Sequence, residues 1–206
     1  DSRPLVPRTE TEFWTEKAVA EIKNYQAARE GLGISDCEPL QIIDMCAGSG
    51  CVGTAVLKHT DNTFVDFAEL DLKHKTTIEK NISQNEIDPA RTSVQQSNLF
   101  SAYSEKKYHF ILANPPYIDS NLNRADQNVV DFEPHLALFG GHGGMEIILQ
   151  LITEAKYHLE LDGQLWIEHE PEQSGEIAAI GAAHGFSTST QVDQFEVERY
   201  TILVLQ

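Results

Sequence analysis

Leu40-Gln41-Ile42-Ile43-Asp44-Met45 runs straight into Cys46-Ala47-Gly48-Ser49-Gly50-Cys51-Val52-Gly53. The first six residues are mostly apolar, as in a strand buried on both faces. The glycines that follow permit a tight turn and let a ligand approach the backbone. An apolar stretch through Val56 and Leu57 then has helical character. Strand, glycine-rich turn and helix in this order open a parallel α/β sheet that holds a nucleotide cofactor.

The chain on either side repeats that alternation. Upstream, Thr9 with Glu12 three residues on has the form of a capping box, and helical spacing continues to about Arg29 before Gly31, Gly33 and Pro39 break it. Downstream, residues 63–69 read as the second strand, 74–83 as a helix, 93–96 as a short strand and 109–113 as a buried strand. A helix over 145–159, a turn at Asp162-Gly163, a strand over 164–169 and a helix over 174–183 follow. The end of the chain reads as a weak strand at 187–191 and a last strand at 200–205. Alternation that ends in two successive strands predicts one three-layer α/β domain. Its sheet is mainly parallel, with one late antiparallel strand.

Composition narrows the function. The chain has 206 residues, 41% of them hydrophobic, and no apolar run of membrane-spanning length. Its formal net charge of -17 repels phosphate backbones, so DNA or RNA as the main partner is disfavoured. The three cysteines, Cys37, Cys46 and Cys51, form no CxxC pair and read as reduced intracellular thiols. His135, His142, His169 and His184 lack ligand spacing, so no metal site is expected. The opening residues, Asp1-Ser2-Arg3-Pro4, are polar and show no signal-peptide pattern.

Several residues stand where chemistry is expected. Gly48, Gly50 and Gly53 satisfy GxGxxG, which alone would equally suit a dinucleotide. Asp44 argues against that. A carboxylate at this strand end would repel a pyrophosphate but attract the ammonium and sulfonium of S-adenosylmethionine. Its other reading is a helix cap. Glu69 and Asp71 both stand near the end of the second strand, where a ribose diol wants acceptors. Asn98 and Phe100 suit either an adenine contact or a turn Asn with a core Phe. Asn114-Pro115-Pro116-Tyr117 follows the buried strand at 109–113. Two prolines force the chain out of the sheet there. The Asn114 carboxamide can then grip a planar nitrogen group edge-on while the Tyr117 ring covers its face.

In this order the motifs resemble the class I S-adenosylmethionine-dependent methyltransferases, and more narrowly the HemK/PrmC-type release-factor glutamine N5-methyltransferases. The match covers nearly all of the chain. Residues 7–12 look like the family's PRPxTE opening, Asp44 to Gly50 its D-x-G-x-G-S-G loop, and residues 114–117 its NPPY. Glu133-Pro134 with Ala137-Leu138 resembles its EPxxAL segment. Glu168, Gln173 and Arg199 match later single residues, Arg199 where an Arg precedes the last strand. Cys46 replaces a family Gly, a small-for-small change, and Asn98 a family Asp.

The resemblance implies a Rossmann-like fold with a mainly parallel seven-stranded sheet. It implies one catalytic domain over 1–206, with an N-terminal substrate-side segment at 1–39 and the core at 40–206. The family's helical N-terminal domain is absent from this chain. The implied cofactor is S-adenosylmethionine, leaving as S-adenosylhomocysteine. Asp44, Cys46, Ala47, Gly48, Gly50, Glu69, Leu70, Asn98, Leu99 and Asn114 would hold it. Glu69 is preferred to Asp71 because Asn81 lies twelve residues on, as in the family's motif.

The implied substrate is the Gln of the Gly-Gly-Gln tip of a peptide-chain release factor, bound by a monomer through Arg8, Glu12, Asn114, Pro115, Pro116, Tyr117 and Glu133. Asn114, Pro115 and Tyr117 would be catalytic, orienting the amide nitrogen for direct methyl transfer without a strong base. The cysteine-bearing loop is similar to that of fungal mitochondrial members. The expected compartment is therefore the mitochondrion in a eukaryote and the cytoplasm otherwise. Three other readings compete: an adenine-N6-type amino-group methyltransferase acting on nucleic acid, a NAD-type oxidoreductase and a non-catalytic scaffold. Net charge opposes the first, Asp44 with NPPY the second, and an intact Asn114 with an intact glycine loop the third.

Overall fold

The computed structural model describes residues 2, 4–31, 38–118 and 140–206. Glu133, the EPxxAL segment, Cys37, His135 and the side chain of His142 lie outside the described residues.

The described elements are α1 (Thr9–Gly31), β1 (Leu40–Met45), α2 (Cys51–His59), β2 (Thr63–Glu69), α3 (Leu72–Gln84), β3 (Thr92–Gln96), β4 (Tyr108–Ala113), α4 (Glu146–His158), β5 (Leu159–Glu168), α5 (Ser174–Ala183), β6 (Phe186–Val192) and β7 (Glu198–Leu205). Seven strands form one sheet in the order β3-β2-β1-β4-β5-β7-β6. Strands β3, β2, β1, β4 and β5 are parallel, and β7 runs antiparallel to β5 and β6. The expected fold class, a mainly parallel seven-stranded sheet with a late antiparallel strand, is what the chain adopts.

Alternation along the strands fills two cores, because successive side chains point to opposite faces. Ile42, Phe67, Phe110, Leu112 and Trp166 pack under α1, α2 and α3. Ile43, Met45, Ile111, Ala113, Ile167 and Leu203 pack under α4 and α5. The start of α1 is anchored by aromatic rings. Trp14 lies 6.4 Å from Tyr200, which stacks on Trp166 at 5.6 Å.

Three local expectations change. The Thr9 capping box does not form. Thr9 is already inside α1, its hydroxyl bonds Glu10, and the Glu12 amide donates to the Arg8 carbonyl. The Asp162-Gly163 turn is an irregularity inside β5. Asp162 sits at φ 60, and pairing with β4 jumps from Leu159 to Gln164. Arg199 is the second residue of β7 instead of preceding it.

Candidate active site

The register brings the carboxyl ends of β1, β2, β4 and β5 to one edge of the sheet. Met45 pairs with Ala113, and Ala113 with Ile167. Asp44, Glu69, Asn114 and Glu168 therefore lie along that edge, where open α/β sheets bind their ligands.

The glycine loop is held from both sides. Asp44 is buried, and its Oδ2 accepts the Gly53 amide at 2.8 Å in the first turn of α2. Capping is thus one of its roles. Burial pushes the Asp44 carboxyl up to about 8; the Gly53 hydrogen bond opposes that, and the nearby Glu69 charge adds to it. Glu69 Oε2 accepts the Gly48 amide at 2.7 Å, and its Oε1 accepts the Asp71 amide at 2.8 Å. Asn81 donates to the Ser49 carbonyl at 2.9 Å. The pair singled out by its twelve-residue spacing therefore grips one loop. Asp71, the competing acid, caps α3 through the Lys73 amide.

The three motif glycines differ in what they face. A Cβ on Gly48, which has φ +55, would find only the Cys46 carbonyl at 3.9 Å. One on Gly50 would stand 2.9 Å from Ile78, and one on Gly53 2.5 Å from the Phe67 ring. Gly48 thus leaves an open approach to the backbone, while Gly50 and Gly53 let α2 pack closely on β2 and α3. Cys46 sits at φ 59, a left-handed conformation that glycine adopts without cost. The swap from the family Gly is therefore a change of backbone preference as well as of size. Cys46 and Cys51 are free thiols, pushed up to about 12 by burial and neighbouring carboxylates, and stay neutral.

At the rim, Leu70 is half-exposed and its carbonyl accepts from Gln96. Asn98 is exposed, and Leu99 is buried at φ 46. Phe100 is no ligand contact: it is buried and stacks on His158 with centroids 4.2 Å apart. His169 is likewise a core residue, with its ring nitrogens 2.8 Å from the Glu170 carbonyl and the Thr201 hydroxyl.

The NPPY loop leaves β4 beside the end of β5. Pro115 is buried; Asn114, Pro116 and Tyr117 are half-buried. Asn114 Nδ2 donates to Thr11 Oγ1 at 3.3 Å. Its Oδ1 is buried without a hydrogen-bond partner among the described residues. Tyr117 Oη donates to Glu168 Oε1 at 2.9 Å. Glu168 Oε2 accepts from Thr11 Oγ1 at 2.7 Å and from Trp14 Nε1 at 2.6 Å. Burial raises the Glu168 carboxyl, and its three donors oppose that shift. Burial likewise holds the Tyr117 phenol well above its ordinary value, with the Glu168 charge adding to it.

Gln173 clips the loop from outside, donating to the carbonyls of Tyr117 and Gly143 at 2.9 Å each. A Cβ on Gly144 would stand 1.9 Å from the Tyr117 carbonyl, and one on Gly140 2.3 Å from that of Pro116. Arg8 and Glu12 stand at the start of α1. Glu12 borders a groove of about 480 Å³ between α1 and α2, lined also by Thr11, Val19 and Cys51. Trp14 carries no local motif signal and Thr11 is one letter of the PRPxTE match; only their contact with Glu168 shows what either holds.

A cationic nucleoside cofactor fits these residues. An open glycine backbone, a buried acid at the end of β1 and a carboxylate with spare lone pairs at the end of β2 meet on one edge.

Residues 34–132 match the methyltransferase small domain. The chain is 31% identical over 189 residues to the release factor glutamine methyltransferase of Flavobacterium psychrophilum, covering 90% of this chain and 62% of that protein. It is 29% identical over 128 residues to the ribosomal protein uL3 glutamine methyltransferase of Bradyrhizobium diazoefficiens, covering 62% of this chain and 40% of that protein. The chain thus spans less than two thirds of either relative's length. The solved ribosomal protein L11 methylase from Lactobacillus delbrueckii subsp. bulgaricus superposes with a TM-score of 0.57 at 22% identity, over 88% of this chain and 77% of that one, a likeness of fold. Sheet order and glycine loop give this chain the class I methyltransferase fold, and its sequence is similar to the release-factor and uL3 glutamine methyltransferases over part of their length.

Proposed function

We propose that the chain uses S-adenosylmethionine to methylate the side-chain amide nitrogen of a protein glutamine, the Gln of a release factor's Gly-Gly-Gln tip. The observation that carries this reading is the Oδ1 of Asn114, buried without a hydrogen-bond partner among the described residues. A buried acceptor left unmade costs about 1–3 kcal/mol. An incoming NH2 group relieves that cost, and a glutamine amide supplies one.

The bound cofactor supplies an electrophilic methyl group on a sulfonium. The Gly48 backbone, Asp44 and Glu69 would hold it, with Leu70 at the rim. Asn114 Oδ1 and the Pro115 carbonyl orient the amide nitrogen, and the Tyr117 ring packs on its face. Two acceptors on one NH2 favour a more pyramidal nitrogen whose lone pair is freer. Positioning then supplies most of the acceleration, since effective molarities of about 10⁵ M are reached by alignment alone.

A second protein substrate is favoured by one observation: relatives of similar identity are named for ribosomal protein uL3. The relatives reported above are bacterial, which favours the cytoplasmic expectation over the mitochondrial one.

The test is transfer of labelled methyl from S-adenosylmethionine to recombinant release factor, with a Gln→Ala tip variant as control and uL3, DNA and RNA as parallel substrates. Label on the release factor, lost in the control, is the expected result. Label on nucleic acid alone overturns the reading.

A further inference from the structure

The Asn114 carboxamide fits its space either way round, because its oxygen and nitrogen are nearly the same size. Only one orientation presents an acceptor to an incoming NH2 group. Among the described residues, it meets Thr11 Oγ1, 3.3 Å from Nδ2. A threonine hydroxyl has one proton to give. Thr11 gives it to Glu168 Oε2 at 2.7 Å. That oxygen also receives the indole N–H of Trp14, which can only donate, at 2.6 Å. The other carboxylate oxygen receives the Tyr117 hydroxyl at 2.9 Å. The Thr11, Trp14 and Tyr117 donors therefore all point toward Glu168, and Thr11 Oγ1 offers Asn114 only lone pairs. A flipped carboxamide would set Oδ1 against an oxygen with no proton to share.

We infer that Thr11 and Glu168 are positioning residues: they fix the orientation of the Asn114 carboxamide and so turn its carbonyl oxygen toward the reacting nitrogen. This rests on the function proposed above and adds to it a polarity relay from the start of α1, through β5, to the NPPY loop. Neither residue touches the substrate in this scheme. Both act through Asn114, so their loss registers in kcat and leaves cofactor affinity alone.

Thr11→Val keeps the shape of the side chain and removes both its proton and its lone pairs. Thr11→Ser restores them. Two readouts follow the change: kcat on the release factor, and the side-chain amide NMR resonances of ¹⁵N-labelled Asn114, identified by their loss in Asn114→Asp. Misorientation of a reacting group costs about 10²-fold. Thr11→Val is expected to lose kcat on that order, hold its cofactor Kd within about twofold, and shift or broaden the Asn114 resonances. Thr11→Ser is expected to return both readouts toward wild type. Glu168→Gln is expected to shift the same resonances. Wild-type kcat in Thr11→Val, Asn114 resonances unmoved by it, or no recovery in Thr11→Ser each overturns the inference. If the wild-type protein labels no release factor, the substrate reading fails, and the resonances alone decide this one.

Discussion

The amide of Gly48 donates to Glu69 at 2.7 Å, so one carboxylate both braces the glycine loop and presents its remaining lone pairs to the ligand edge. Replacing Glu69 with Ala removes both functions. Losing hydrogen bonds to a charged acceptor costs about 1.5–3 kcal/mol. Glu69→Ala is expected to weaken S-adenosylmethionine binding at least about tenfold by calorimetry, and to lower stability modestly. Unchanged affinity would remove Glu69 from the cofactor site.

The motif glycines separate in the same experiments. Gly53→Ala drives a Cβ to 2.5 Å from the buried Phe67 ring and is expected to cost about 1–3 kcal/mol of stability. Gly48→Ala meets open space and costs about 1 kcal/mol for its left-handed backbone. It is nevertheless expected to reduce cofactor affinity more than Gly53→Ala does. Denaturation curves read alongside binding isotherms show the contrast; the opposite ranking would mean that the ligand does not approach Gly48.

Gly144 is a third kind of position. A Cβ there falls 1.9 Å from the Tyr117 carbonyl, at a φ of +70. Gly144→Ala is expected to destabilise the fold by about 2 kcal/mol or more, lowering the melting temperature by several degrees. Melting within a degree of wild type would show that this close approach is not obligatory.

Asp44 predicts a pH dependence. Its carboxyl, pushed up to about 8, is neutral below that value and charged above it. A sulfonium or ammonium bound beside it favours the charged form. Cofactor affinity is therefore expected to rise as pH approaches about 8 from below and to level off above it. In Asp44→Asn the profile should flatten; an unchanged slope there would assign it to another group. Stability runs the other way. A folded-state value raised above the ordinary one means that the folded chain holds the extra proton, so this contribution is lost as pH rises from about 4 to about 8. Denaturant midpoints should fall over that window in wild type, and by less in Asp44→Asn.

Much of this was legible in the sequence because its signals are local. The strand at Leu40–Met45, the glycine turn and the double proline after Ala113 each lie within a few residues. The mainly parallel seven-stranded sheet with a late antiparallel strand follows from the alternation and the family resemblance, whereas the strand order comes from the structure. The hidden parts depend on contacts far apart in the chain. Thr11 meets Glu168 across 157 positions, and no spacing rule marks that pair. Thr11 is legible only as one letter of the PRPxTE resemblance at residues 7–12. Glu168 and Gln173 were legible only as single-letter matches, and geometry alone shows what each of them holds. Asn98 and Phe100 have a sequence pattern that suits both turn and ligand contact, and the stacking of Phe100 on His158 decides against a ligand role for Phe100.

The most direct test of the account is Asn114→Ala, measured twice on one preparation: kcat for labelled methyl transfer to the release factor, and Kd for S-adenosylmethionine. The account predicts that turnover is abolished and cofactor affinity stays near wild type. In the proposed reading the buried Oδ1 faces the substrate, while the residues that would hold the cofactor lie at the ends of β1 and β2. Near-normal turnover in that variant would contradict it.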